Sequence, residues 1–233
     1  MVPTLRQPVP EDARHPLSLL IGRWHDFSDI RALADIDLRR GGERQRFTGV
    51  LLARAPGSLR FEALSPFGQP LLYVTIHEGR LVAYDATTNE ALVGPANAET
   101  SGRLLHLPVN PDDLVAILAG RVAPPKDLRV AELLPPDDDG PSLRLVGGLH
   151  EQRVWLDPDT GVVRQLSIRG GRLEARIVYS RDGDGRLTGV DLDAAQSYVT
   201  GSVRYRQAVV DGGVDPERFS LSVPKGAKIQ SIR

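Results

Sequence analysis

The sequence contains no cysteine, and this absence excludes several kinds of site at once. Without thiols there can be no disulfide, no iron–sulfur cluster and no zinc site built on thiolates. Aromatic residues make up only 5% of the chain, which leaves few side chains on which bases or sugars could stack. Acidic and basic residues nearly balance at 30 and 29, so the basic surplus typical of nucleic-acid-binding proteins is also missing. We therefore expect no nucleic acid partner.

Long apolar runs and catalytic motifs are missing too. No stretch approaches the roughly 20 apolar residues that a membrane-spanning helix needs. The five histidines (His15, His25, His77, His106 and His150) are scattered, and neither HEGRL nor HEQRV supplies the second histidine of a zinc-binding HExxH motif. GxSxG, Walker and GxGxxG sequences are also lacking. We expect no catalytic residue, no cofactor and no metal ion.

Two acidic segments resemble cation sites but are better explained as loops. Asp182-Gly183-Asp184-Gly185 lies between two predicted strands, where Asp-Gly pairs form ordinary hairpin turns. The twelfth position counted from Asp182 is Asp193, whereas an EF-hand requires glutamate there. The PPDDDGP segment at 135–141 is more typical of a solvated loop.

The residues that are present predict a mainly β protein. From about Ile30, apolar and polar residues alternate with the period of two that is typical of half-buried strands. Such segments recur every 8 to 12 residues, separated by Gly or Pro turns, from IRALADIDLRR to RFSLSVP. The count is roughly eleven to thirteen antiparallel strands, and a sheet of that width has to curl, split or close.

Short helices are predicted at two places. One covers about Pro16 to Asp26, where the apolar residues share one helical face. The other place holds a pair, ANAETSGRLLHL and NPDDLVAILAG. In the second of the pair Asn110 is a natural N-cap, and Leu114 and Leu118 belong to the apolar stripe.

These elements predict two parts of the chain. Residues 1–15, which include a proline-rich start, form an extended tether, and residues 16–233 form one domain. The fold class is α+β but mainly β: a curved antiparallel half-barrel of about eleven strands, with the short helices over its open side.

The SPFGQP turn at 65–70 joins two predicted strands and presents Phe67 beside Pro66 and Gly68. Turn tips are normally polar, so an aromatic residue there either folds back onto the sheet or is exposed for a purpose. The residues alone leave both interpretations open.

The run from FTGVLLARAPGSLRFEALSPFGQP through DDLVAILAGR, with the closing FSLSVPKGAK, resembles LolB-like outer-membrane lipoproteins of the LolA/LolB lipoprotein-localisation superfamily. The resemblance covers roughly residues 16–228 and rests on the order and spacing of short apolar motifs. It implies a half-barrel with helices as a lid over an apolar cavity. The alternating strand faces and the lid stripe then suggest the lining residues Ile36, Phe47, Phe61, Leu72, Val74, Leu81, Leu114 and Leu118.

The resemblance also implies a function. It suggests an acyl-chain-binding outer-membrane lipoprotein that accepts lipoproteins from a LolA-like periplasmic carrier and helps place them in the outer membrane. Pro66, Phe67 and Gly68 match the family's membrane-contact loop, which would touch the inner leaflet of the outer membrane.

Members of this family normally begin with a leader and a lipidated cysteine, and this chain has neither. We expect both to have been removed, so that the precursor is lipid-anchored on the periplasmic side of the outer membrane while this chain is soluble. Two alternatives on the same fold remain open. One is a periplasmic lipid or lipoprotein sensor, and the other is an envelope-assembly scaffold whose cavity is filled and binds no lipid.

Overall fold

A computed structural model describes residues 8–105, 107–171 and 173–232. In this part of the chain, fourteen strands form one sheet, accompanied by three α-helices and two short 3₁₀ turns. The helices are α1 (Glu11–His25), α2 (Ala98–Leu105) and α3 (Pro111–Leu118). The strands are β1 (Asp29–Arg40), β2 (Glu43–Arg54), β3 (Ser58–Leu64), β4 (Pro70–His77), β5 (Arg80–Asp85), β6 (Glu90–Pro95), β7 (Val130–Asp137), β8 (Gly140–Val146), β9 (Glu151–Leu156), β10 (Val163–Gly170), β11 (Leu173–Arg181), β12 (Leu187–Ala194), β13 (Val199–Val210) and β14 (Lys228–Ser231).

The sheet is open and curved, which confirms the predicted mainly β half-barrel fold. Its strand order is β14-β6-β5-β4-β3-β2-β1-β13-β12-β11-β10-β9-β8-β7. All neighbours run antiparallel except β14, which pairs in parallel with β6. The pairing of β1 with β13 joins the two halves of the chain, and it sets Ile36 opposite Val203.

The helices cover one face of the sheet, which we call the concave face. Leu17 and Leu20 of α1 share a buried cluster with Leu143 and Leu145 of β8. On the other half of the sheet, α3 contributes to a second cluster that contains strand residues from β1 to β5. Because side chains alternate across a strand, every second residue of each strand faces these helices.

Two boundaries differ from the sequence-based expectation. The first helix begins at Glu11 rather than near Pro16, and Ala13 within the added turn is completely buried. Residues 11–15 are therefore helical and packed, not part of an extended tether. Proline is tolerated at position 16 even though five helical residues precede it.

The predicted last strand, RFSLSVP, is wrong. Pro216–Phe219 form a 3₁₀ turn, and Phe219 is fully buried against Leu52 on the convex face, opposite the helices. The Arg60 guanidinium donates hydrogen bonds to the backbone carbonyls of residues 218 and 220. This segment therefore has hydrogen-bond partners without joining the sheet. The strand that closes the chain is β14, nine residues after Phe219.

Among the described residues, no helix is both long enough and apolar enough to cross a membrane.

Candidate functional site

The strand register places five of the predicted lining residues on the concave face. Ile36 of β1 lies opposite Phe47 of β2, and Phe61 of β3 lies opposite Val74 of β4. Leu72 is two positions from Val74 and so points to the same side. These strands carry the cluster under α3 at one end and the five residues at the other, so the five extend the apolar surface beyond the lid.

The predicted residues divide by burial. Leu81 is fully buried and Leu118 nearly so, because both belong to the cluster packed between α3 and the sheet. The others are half-buried, and Leu114 contacts both hydrophobic clusters. The half-buried residues are Ile36, Phe47, Phe61, Leu72, Val74 and Leu114. The concave face is therefore closed at the α3 end and partly open along the strip of half-buried residues, which we call the apolar groove.

A glycine allows the aromatic residues of the groove to lie close to the sheet. The rings of Phe47 and Phe61 meet edge to face, with their centroids 6.4 Å apart. A Cβ atom on Gly49 would lie 2.8 Å from Cε2 of Phe61, so the ring occupies the space above this glycine. Gly201 plays a similar part for Leu38, whose Cδ2 would lie 3.1 Å from an added Cβ.

Three further apolar residues, which were not in the predicted set, also line the groove. Leu38 continues the alternation of Ile36 on β1, and Val203 and Leu192 follow on β13 and β12. All three are half-buried. Alternation within β1 was enough to find Leu38. The other two could be found only by knowing that β1 pairs with β13, a contact between residues about 170 apart in the chain.

Helix α3 is held at its C-terminal end by side chains of the sheet. The Tyr205 hydroxyl donates to the Leu118 carbonyl at 2.6 Å, and the Tyr179 hydroxyl donates to the Arg121 carbonyl at 3.2 Å. The Arg181 guanidinium donates to the carbonyl of residue 120 at 3.2 Å. Burial raises the pKa of both tyrosines above the ordinary value, so the two hydroxyls keep their protons as donors.

The N-terminal end of α3 carries charge. Asn110 is the N-cap residue as predicted, although its side chain makes no capping hydrogen bond. Lys126 pairs with Asp112 at 2.8 Å. Burial raises the pKa of Asp113, with the nearby His150 acting in the opposite direction.

The loop between β3 and β4 presents Phe67 to solvent. The Ser65 hydroxyl oxygen accepts the backbone N–H groups of Phe67 at 3.2 Å and Gln69 at 3.1 Å, and Gly68 adopts a φ of +78°. These bonds hold a tight turn with Phe67 at its tip, 92% exposed. Of the two interpretations, the structure shows the exposed one. Contact of Pro66, Phe67 and Gly68 with a membrane stays a prediction.

The acidic segment that resembled a cation site forms a turn. Asp182 accepts the backbone N–H groups of Asp184 and Arg186, which makes an ordinary turn between β11 and β12. The described residues contain no group of three or more His, Asp or Glu side chains that could hold a metal ion. His106 lies outside the described residues.

A second concavity of about 310 Å³ lies on the convex face, around Trp155 and Ser167. Its walls are ion pairs, with Arg169 next to Glu174 and Arg176 next to Asp139, both at 3.3 Å. The charges of these pairs are already matched, and an acyl chain that entered would lie among charged side chains. The apolar groove on the opposite face is therefore the better candidate for binding an apolar ligand.

No protein-family model matches the sequence, and neither does any curated protein. Solved structures are similar to it in fold. A domain named for outer membrane lipoprotein sorting, from Vibrio parahaemolyticus, is 14% identical with a TM-score of 0.59, over 90% of this chain and 94% of that one. A LolA superfamily protein from Nitrosomonas europaea is 14% identical with a TM-score of 0.61, over 90% and 99%. A DUF1329 family protein from Desulfovibrio piger is 14% identical with a TM-score of 0.59, over 91% and 98%. At this identity the likeness shows a LolA-like fold.

Proposed function

We propose that this protein binds the acyl chains of lipoproteins in its apolar groove and helps place those lipoproteins in the outer membrane. The observation that carries the proposal is the strip of half-buried apolar side chains on the concave face, outside the cover of α3. A sealed core would bury such residues, and a polar binding site would not need them. The LolA-like fold supports the same proposal, and one structure of this fold is named for lipoprotein sorting.

The energetics favour a groove of this kind for an acyl ligand. Each CH₂ group removed from water contributes about 0.8 kcal/mol, so a 16-carbon chain represents on the order of 12 kcal/mol. A protein that carries such a chain through water has to replace nearly all of that burial with its own apolar surface. Phe47, Phe61 and Val74 provide part of it in the closed arrangement. Movement of α3 away from the sheet would add Leu81 of β5 and Leu118 of α3, which are buried between the two.

We further propose that Phe67 touches the inner leaflet of the outer membrane, on its periplasmic side, when the ligand is delivered. Burial of one phenylalanine contributes only about 1.5–3 kcal/mol, which suits a transient contact and not a stable anchor. Stable attachment would need an acylated N-terminus on the precursor. The partner that hands over the ligand would be a LolA-like carrier.

Binding of a triacylated lipoprotein to the purified chain tests this proposal, with its non-acylated form as control. We expect acyl-dependent binding that Val74→Asn weakens by about tenfold, because an amide in the groove loses its hydration when the chain enters. Val178→Asn is the matched control, since Val178 is also partly exposed but lies on the convex face. Binding that does not depend on the acyl group would contradict the proposal and favour a scaffold that binds no lipid. So would an equal loss of binding in Val74→Asn and Val178→Asn.

A further inference from the structure

The three most exposed large apolar side chains of the described residues are Phe67, Leu149 and Tyr198, at 92%, 80% and 79%. They belong to different loops, between β3 and β4, between β8 and β9, and between β12 and β13. In an antiparallel sheet, alternate turns lie at the same end of the strands. The pairing of β1 with β2 and β13, continued strand by strand, puts the loops of Phe67 and Tyr198 at one end of the half-barrel, which we call the rim. The loop of Leu149 lies elsewhere, beside the N-terminal end of α3, because Pro125 lies against Gly147 and the adjacent Lys126 pairs with Asp112.

The two rim residues are four strand positions apart in the sheet order, which corresponds to roughly 19 Å along the curved end. The backbone at Tyr198 is left-handed, with a φ of +53°, a conformation that is unusual for a bulky residue. The N–H of Gly41 donates to the Tyr198 carbonyl at 3.2 Å, so the backbone that carries this exposed ring is held beside the turn between β1 and β2.

Between Phe67 and Tyr198 the rim is basic. The hairpin of β1 and β2 carries four arginines against the acidic residues Asp37 and Glu43, an excess of two positive charges. Three of the arginines gather around the single Asp37 carboxylate. The whole chain has a net charge of −1, so attraction to an anionic surface would have to come from a local patch of this kind. The four arginines are Arg39, Arg40, Arg44 and Arg46.

We infer that the rim as a whole, and not the Phe67 loop alone, docks on an anionic phospholipid bilayer, with Tyr198 as a second apolar contact and the arginine hairpin facing the lipid headgroups. Aromatic side chains insert into the interface while arginines stay among the phosphates. The strands then end at the membrane, and the end of the apolar groove that lies away from α3 faces the bilayer. This inference rests on the proposed function, because it supplies the route between groove and membrane.

Flotation with vesicles of phosphatidylethanolamine, with or without phosphatidylglycerol, tests the inference on the full chain. Asparagine tolerates a left-handed backbone, so Tyr198→Asn removes the ring while keeping the turn. We expect Tyr198→Asn and Phe67→Ala each to lower partition onto anionic vesicles by about threefold to tenfold, and the double variant to lower it further. Val209→Asn, at the opposite end of β13 and 45% exposed, is the matched control and should not change partition.

Three results would overturn the inference: no vesicle binding by the unmodified chain, no loss in Tyr198→Asn, or an equal loss in Val209→Asn. Binding that is unchanged when phosphatidylglycerol is omitted would contradict the part of the inference in which the arginine hairpin contacts anionic headgroups. A parallel assay with an acylated lipopeptide in the absence of vesicles separates this test from that of the proposed function. Rim variants should keep lipopeptide binding, whereas Val74→Asn should lose it and still float. If the chain floats through its rim but binds no lipopeptide, the proposed function fails and the rim contact stands.

Discussion

Gly49 illustrates how one residue shapes the groove. It lies opposite Ala63 on the concave face, and the ring of Phe61 lies over it. A methyl group at this position would meet both that ring and the Glu62 carbonyl oxygen. The ring has to leave the surface of the sheet to make room, and its contact with Phe47 would then be lost.

We therefore expect Gly49→Ala to lower the free energy of unfolding by about 1–3 kcal/mol, the usual range for overpacking. Chemical denaturation monitored by circular dichroism would measure it. Gly42→Ala is the control, because nothing lies within 4 Å of a Cβ there and its φ is not left-handed. That variant should be as stable as the unmodified chain or slightly more so. Equal stability of the two variants would show that the space above Gly49 is not needed.

The sequence predicted which residues share a face but not how deeply each is buried. Alternation assigned Ile36, Phe61 and Val74 to one side, and the register confirms that they share it. The depth depends on where α3 lies over the sheet, and periodicity within a strand carries no information on that. Leu81 and Val74 were therefore indistinguishable in the sequence, although Leu81 is fully buried and Val74 is half-buried.

Among the elements, α3 is the one whose position decides how much of the groove is open. Its eight residues are too few for a stable helix in isolation, so packing and tertiary hydrogen bonds have to hold it. Tyr205, Tyr179 and Arg181 supply three of these bonds, all to carbonyls at its C-terminal end. The end of the helix is thus fixed to the second half of the sheet, while its apolar stripe packs on the first half.

Tyr205→Phe should loosen this end of α3 without changing the fold. The Leu118 carbonyl loses a buried partner, which costs about 1 kcal/mol. Amide hydrogen exchange in residues 115–121 should accelerate by about fivefold, since 1 kcal/mol corresponds to that factor. Tyr84→Phe removes an exposed hydroxyl that donates to Asn89 at 3.0 Å and should leave α3 unchanged. Equal exchange rates for α3 in the two variants would contradict a tethering role for Tyr205.

The strands and helices that depend on local pattern were predicted well, and those that depend on distant contacts were not. Thirteen of the strands follow from alternation and turn residues, and the helix pair was placed within a few residues. The segment RFSLSVP alternates like a strand, yet Phe219 enters a site on the convex face that residues near Leu52 create. The short β14 has no apolar alternation of its own, and only the edge of β6 gives it a partner.

Across the whole molecule, stability and proposed function use different surfaces. The C-terminal segment covers the convex face of the first half of the sheet, with Val214 and Phe219 buried against Leu52 and the ring of His77 stacked on Phe219 at 6.0 Å. The concave face holds the apolar groove, and the rim carries exposed apolar side chains. The rim could not be predicted from the sequence, because residues 67 and 198 lie at the same end only through the pairing of the strands between them.

A pair of identical substitutions tests this division. Phe219→Ala removes a ring that is 0% exposed and should lower the free energy of unfolding by about 3–5 kcal/mol. Phe67→Ala removes a ring that is 92% exposed, so the folded chain loses almost no burial and its unfolding midpoint should not change. In vesicle flotation the order should reverse: Phe67→Ala weakens binding, and Phe219→Ala, measured at a temperature where it remains folded, keeps it. Destabilisation by Phe67→Ala would mean that its loop packs on the protein, and a Phe219→Ala chain that no longer floats while folded would tie the convex face to membrane contact.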